Sequence, residues 1–300
     1  MPFGPIELVT QRSTTFEGRP LANPDEPVFD QGLAFDLQTV MGRRQLLKLI
    51  GTVGVGAGVA ALTACLPSPS ASAGASSSSA SASSGGTAEC ATIPAETAGP
   101  FPGDGSNGPD VLTQSGIVRR DIRSSFGGST DVAEGIPLTI RLLLQDQASG
   151  CAPLVGAAAY VWHCDREGRY SLYSNGVTGE NYLRGVQESD SDGVATFDSI
   201  FPACYTGRWP HIHFEVYRSL DEATSQANKI ATSQIALPKD TDDAVFTTSG
   251  YEQSVQNFAQ MSLRTDNVFG DDGGAHQLGT MSGSIAAGYT VQLAVPVSTT

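Results

Sequence analysis

Two histidines stand one residue apart in the stretch CYTGRWPHIHFEVYRS, residues 204–219, of a chain that has 4 histidines among 300 residues. Neutral imidazole is the commonest metal ligand in proteins, so a His-x-His pair raises the question of what other donors converge on it. Read as a strand, the segment sends Ile212, Phe214 and Val216 to one face and His211, His213 and Glu215 to the other. The apolar face belongs to a core. The other face reads in two ways, as the ordinary polar side of a half-buried strand or as the floor of a metal site. Two histidines with Glu215 would suit ferrous iron, and two histidines with Cys164 and Cys204 would suit zinc.

Further donors are found in WHCDREGRYSLYS, residues 162–174, and FPACYTGRWPHIH, residues 201–213. Tyr170 follows a Gly-containing turn, and Tyr205 precedes His211 by six residues. Taken singly, each tyrosine reads as a packing ring with one hydrogen-bonded hydroxyl, and Tyr173 is a second choice in the Tyr170 turn. Trp162 and His163 read as packing and hydrogen-bonding residues, and His276 as a loop residue with no evident partner. Arg208, taken alone, reads as half of a surface ion pair. Gln234, taken alone, is a polar strand position.

The elements that must carry these residues are strands punctuated by turn-forming clusters: PLTIRLLLQD from Pro137, AAAYVWHC from Ala157, VATFDSI from Val194, HIHFEVY from His211, KIATSQIAL from Lys229 and YTVQLAV from Tyr289. Helical periodicity is confined to TDDAVFTTSGYEQSVQNFAQM, residues 241–261. This pattern predicts an all-β antiparallel sandwich with few short helices. Residues 137–145 and 157–164 are candidates for a hairpin.

The N-terminal part is organised differently. Residues 41–66, MGRRQLLKLIGTVGVGAGVAALTACL, run from the Arg43–Arg44 pair through a Gly- and Ala-rich apolar stretch to Cys65, the order of an export signal. The arginine pair looks like a twin-arginine signal and LTAC like a lipobox, which implies lipidation of Cys65. The competing reading is an uncleaved transmembrane helix. Met41 is an alternative start to Met1. A Ser/Ala/Gly tract then forms a flexible tether. The chain thus divides into an export region over 1–64, a tether over 65–89 and a folded domain over 90–300.

The first 64 residues hold 5 Lys and Arg and 6 Asp and Glu, which leaves 12 basic and 25 acidic residues for the remainder. Nucleic-acid binding rests on neutralising phosphates with Lys and Arg, so this excess of acid excludes a nucleic-acid partner. In an exported chain Cys90, Cys151, Cys164 and Cys204 make one or two disulfides. With the hairpin above, a Cys151–Cys164 bond needs an irregular connection, and Cys164 pairs more readily with Cys90 or Cys204.

In combination the motifs GRYSLY, LRGVQESDSDGVATFDSIFPACY, GRWPHIHFEV and TSQIALP resemble those of the intradiol ring-cleavage dioxygenases, the catechol and protocatechuate dioxygenase superfamily. The resemblance runs from IPAETAGPF at Ile93 to about Pro238, in the family's order and close to its spacings. It implies an intradiol-type β-sandwich that binds Fe(III) through Tyr170, Tyr205, His211 and His213. It further implies that Arg208 lies beside the substrate ring, that Gln234 is the active-site glutamine, and that Tyr205 takes part in substrate binding as well as ligation. Two departures stand out. Ala203 and Cys204 replace a glycine and a bulky residue before the second tyrosine, and the N-terminal helical dimerisation region of cytoplasmic members is replaced by the signal and tether.

The expectation is therefore an exported, lipid-anchored enzyme of the cell envelope. With O2 it would cleave a catechol-type aromatic to a cis,cis-muconate-type diacid, touching the membrane only through its lipid. The rival expectations are a non-catalytic sandwich that binds aromatics or a partner, and a different metalloenzyme built on the His-x-His pair.

Overall fold

The computed structural model describes residues 90–299, together with two paired two-residue strands, β1 (Thr15–Phe16) and β2 (Arg19–Pro20). The rest of the export region, Cys65 and the tether lie outside the described residues. No helix among the described residues is long and apolar enough to cross a membrane.

Nine strands build two sheets. The first contains β3 (Pro137–Asp146), flanked by β11 (Gly288–Val297) on one edge and by β7 (Val194–Ile200) and the short β4 (Ala152–Pro153) on the other, with β10 (Thr280–Ser284) outside β11. The second has the order β6 (Arg184–Glu188), β5 (Ala158–Trp162), β8 (His211–Tyr217), β9 (Ala231–Ala236). All pairs within the second sheet are antiparallel, whereas β11 runs parallel to β3. Two seven-residue helices, Lys239–Val245 and Glu252–Phe258, lie in or beside the segment that carries helical periodicity.

Alternation dictates the packing. Leu138, Ile140, Leu142 and Leu144 of β3 meet Val161 of β5 and Ile212, Phe214 and Val216 of β8 in the core between the sheets. Each such side chain contributes about 1.5–3 kcal/mol when fully buried. The outer face of the second sheet is also covered. Ala158, Tyr160, Trp162 and Tyr217 pack there against Val111, Leu112, Ile117 and Tyr170 from long connections. Every residue of β5 and β8 is therefore buried, polar ones included.

The register of the second sheet aligns the residues of interest. Trp162 on β5 pairs with Arg184 on β6 and with His213 on β8, and His213 pairs with Gln234 on β9. Four side chains thus lie side by side on the outer face across four strands.

Two expectations are corrected. Residues 137–145 and 157–164 do not form a hairpin, because β3 and β5 belong to different sheets. β3 instead takes β7 and β11 as neighbours, since its apolar face fills the core opposite β5 rather than beside it. The disulfide joins Cys90 to Cys151, with Cα atoms 5.8 Å apart, while Cys164 and Cys204 are free and buried. The Cys164 thiol donates to the Ala203 carbonyl and the Cys204 thiol to the Arg208 carbonyl. Cys151 lies between β3 and β4 of the first sheet, whereas Cys164 follows β5 of the second, so Cys90 pairs with Cys151 and the expected bonds from Cys164 to Cys90 or Cys204 are not made.

The disulfide closes a loop between residues 61 apart in sequence. Replacing both cysteines with serine is expected to lower unfolding stability by about 2–4 kcal/mol, read as a lower urea midpoint.

Candidate metal centre

β8 delivers His211 and His213 to the outer face, both about 2% exposed. The Nδ1–H of His211 donates to the Trp209 carbonyl at 2.5 Å, leaving its Nε2 lone pair aimed inward. The ring of His213 lies parallel to that of Trp162, 4.9 Å between centroids and 4° between planes, and its Nε2 is 3.1 Å from Nε2 of His211.

Tyr170 reaches the same point from the connection after β5. Asp165 shapes that connection, accepting from the backbone of Glu167 and Arg169 and from the hydroxyl of Tyr182. The backbone of Tyr170 is fixed in turn by Ser174, whose hydroxyl accepts from the Tyr170 N–H. Tyr205 arrives from the segment after β7, where the neighbouring Cys204 backbone is held by Ser254 and Asn257 of the second helix. A turn follows in which the Arg208 N–H donates to the Tyr205 carbonyl.

The result is a cluster of four donors. The Tyr170 hydroxyl is 3.4 Å from the Tyr205 hydroxyl and 3.4 Å from His211 Nε2, and the Tyr205 hydroxyl is 3.3 Å from the same nitrogen. Atoms bound to one metal at about 2 Å each stand roughly 3 Å or slightly more apart, so this donor set fits a single ion. Burial pushes the Tyr205 phenol up to about 12, partly offset by the Arg208 charge, and holds the Tyr170 phenol well above its usual range. Burial likewise drives both histidines well below the usual imidazole range, aided by the Arg208 charge, which leaves them in the neutral, ligating form.

Arg208 lies at the site with its side chain 12% exposed. Its Nε pairs with Asp266 at 2.9 Å, one terminal nitrogen donates to Gln234 Oε1 at 2.6 Å, and the other donates to His211 Nε2 at 3.3 Å. Gln234 passes the connection on, donating from Nε2 to the Thr97 carbonyl at 2.9 Å. All six residues singled out by the motifs are thus brought together. Asp266 is not visible in the sequence: it lies 58 residues beyond Arg208 in a segment without a motif, and also accepts from the backbone of Trp209, Val268 and Phe269.

The other candidates do not join the cluster. Glu215 accepts from Lys229 at 2.6 Å and from the Tyr217 hydroxyl at 2.7 Å, two residues further along β8. No group of three or more His, Cys, Asp or Glu able to hold a metal occurs among the described residues, so neither the ferrous set with Glu215 nor the zinc set with Cys164 and Cys204 is assembled. The hydroxyl of Tyr173 accepts from Gly103 and donates to the Asn107 carbonyl. His163 bonds Ser199 through Nε2 at 2.7 Å, as a packing and hydrogen-bonding residue should. His276 sits in the turns before β10, outside the site.

The strap of residues 93–103 closes one side. Gly99, at φ 71°, comes so near that a Cβ would stand 3.2 Å from His213 Cε1, and Phe101 places its ring 4.8 Å from that of Tyr170.

Breaking the Arg208–Asp266 pair leaves a buried charge without its partner. Asp266→Ala is therefore expected to cost about 3–5 kcal/mol in chemical denaturation.

No family model matches the sequence, and no curated protein matches it. Among solved structures, an intradiol ring-cleavage dioxygenase from Tetranychus urticae is 24% identical, covering 70% of this chain and 95% of its own at a TM-score of 0.56. A second solved dioxygenase is 24% identical with the same coverages and a TM-score of 0.55. The dioxygenase domain of a carbohydrate-binding fusion from Streptomyces sp. SirexAA-E is 20% identical over 70% of this chain and 100% of that one, at a TM-score of 0.43. Over the shared 70% of its length, the chain has the all-β fold of the intradiol ring-cleavage dioxygenases.

Proposed function

We propose that the protein is an Fe(III) intradiol dioxygenase that cleaves a catechol-type aromatic with O2 to a cis,cis-muconate-type diacid. The observation that carries this reading is the convergence of two phenols and the His213 imidazole on Nε2 of His211, each within 3.1–3.4 Å of it, with an Arg208 guanidinium nitrogen 3.3 Å from the same point. Phenols this deeply buried stay protonated unless a strong Lewis acid ionises them, and two phenolates suit a hard trivalent ion better than a divalent one.

Tyr170, Tyr205, His211 and His213 would hold the ion, whose Lewis acidity would bind and ionise a catechol and prime its ring for oxygen. The chain's own residues supply the rest. Tyr205 is less buried than Tyr170, and its phenolate oxygen is the base placed to take a proton from an entering catechol hydroxyl. Arg208, held by Asp266 and Gln234, presents a fixed positive charge to electron density that grows on the ring as oxygen attacks. Gln234 fixes that guanidinium while tying the strap to β9. Trp162 and the strap keep water from the His213 side.

The same reading places the domain, from residue 90, outside the cytoplasm, exported through the signal in residues 41–66 and anchored by a lipid on Cys65. Its supports are the order of residues in that signal and the presence of a disulfide.

Iron-loaded protein is expected to be red-brown from tyrosinate-to-ferric charge transfer. Tyr170→Phe and Tyr205→Phe should each shift or weaken that band in visible spectroscopy, and two unchanged spectra would remove the tyrosines from the ligand set.

Arg208→Gln keeps an amide to bond Asp266 but loses the charge. It is expected to retain iron and colour while turnover, followed by oxygen uptake, falls on the order of 10²-fold. Normal turnover would make Arg208 structural, and a wild-type catechol complex that oxygen never discharges would make the protein a binding module.

A further inference from the structure

Arg184 opens β6 at 1% exposure, and among the described residues it forms no ion pair. Its guanidinium is nevertheless fully engaged. Nε donates to Ser171 Oγ at 3.0 Å, Nη1 to the Pro102 carbonyl at 2.7 Å and to the Tyr160 hydroxyl at 3.2 Å, and Nη2 to the carbonyls of Phe101 at 2.9 Å and Ser171 at 3.0 Å. These five bonds, all to neutral acceptors, match the five N–H donors of the planar fork.

The acceptors belong to three pieces of chain: the strap at 101–102, the residue that follows Tyr170, and the neighbouring strand β5. Two further observations show how closely the surroundings are built to the guanidinium. A Cβ on Gly103, which is at φ 68°, would stand 2.8 Å from Nη1. Leu172 and Leu183, next in sequence to Ser171 and Arg184, adopt left-handed backbone at φ 73° and 57°. Such conformations persist in a bulky residue where the surroundings over-determine them. The strap so held carries Phe101, whose ring rests against Tyr170.

We infer that Arg184 is a positioning residue for the metal centre: its fork clamps the strap to the Tyr170 turn, pressing the Phe101 ring on the Tyr170 ring and aiming that phenol at His211. The inference rests on the reading of Tyr170 as a metal ligand. Arg184 touches neither metal nor substrate in this role. Lysine keeps the charge but has one nitrogen, which cannot span three pieces of chain.

The test compares iron-loaded wild type, Arg184→Lys and Phe101→Leu in the full chain, by visible spectroscopy, iron content, thermal melting and catechol turnover. Arg184→Lys is expected to keep its iron but shift the charge-transfer band and lower kcat/KM on the order of 10²-fold, the scale of a small misplacement at a reacting centre. Phe101→Leu, which leaves the clamp in place, should shift the band in the same direction. In a Tyr170→Phe background the Arg184→Lys shift should vanish, because the phenol it acts through is gone. A folded Arg184→Lys with the wild-type band and kcat/KM overturns the inference, whatever its melting temperature. Should Arg184→Lys fail to fold, an unchanged band in Phe101→Leu overturns it equally. Wild type that takes up no iron or stays colourless would instead sink the metal reading itself, and the positioning role with it.

Discussion

His213 pairs with Trp162 on one side and with Gln234 on the other, and Trp162 pairs with Arg184 beyond it. Because alternate residues along a strand face opposite ways, that register puts four chemically distinct side chains in one line on one face. A slip of one residue in β8 would carry both histidines into the core and expose Ile212 and Phe214 to the site. The core between the sheets therefore guards the site indirectly: burying Ile212, Phe214 and Val216 makes any other register costly. The tyrosines come from connections outside the sheet and are brought to the histidines by local turns.

The outer face of this sheet is unusual in being dry and polar together. A buried polar group without a partner is costly, so each must be satisfied by its neighbours. Arg208 meets this with a carboxylate, an amide and an imidazole, Glu215 with an ammonium and a phenol, and Arg184 with carbonyls and hydroxyls alone. His213 and Trp162 depart from this. Among the described residues His213 Nδ1 and Trp162 Nε1 both lack a hydrogen-bond partner, and the parallel stacking of the two rings holds them instead. Stacking fixes the plane of the imidazole, a task that a second hydrogen bond performs for His211.

Most of the strands are legible in the sequence because the alternation in PLTIRLLLQD, VATFDSI and HIHFEVY sends their apolar side chains to the core between the sheets. β6 and β10 escape that reading. RGVQE is too short and TMSGS too small and polar to show the pattern. The site residues are legible through their spacing in motifs, whereas Asp266 and Arg184 act through contacts made only in the fold: one is separated from its partner by 58 residues, and the other bonds main-chain atoms 82 and 83 residues away. The cysteines mislead because pairing depends on which sheet a strand joins, and alternation says which face is buried without saying which strand is the neighbour.

The bond between Cys90 and Cys151 has a mechanical meaning. Cys90 stands three residues before Ile93, whose N–H donates to the Pro296 carbonyl at the start of the strap over the site. Tension arriving from the upstream chain therefore meets a covalent link to the end of the β3–β4 region before it meets any hydrogen bond of the strap. Any such load would pass into the first sheet, and the strap, Phe101 and the donor cluster beneath them would be shielded from it.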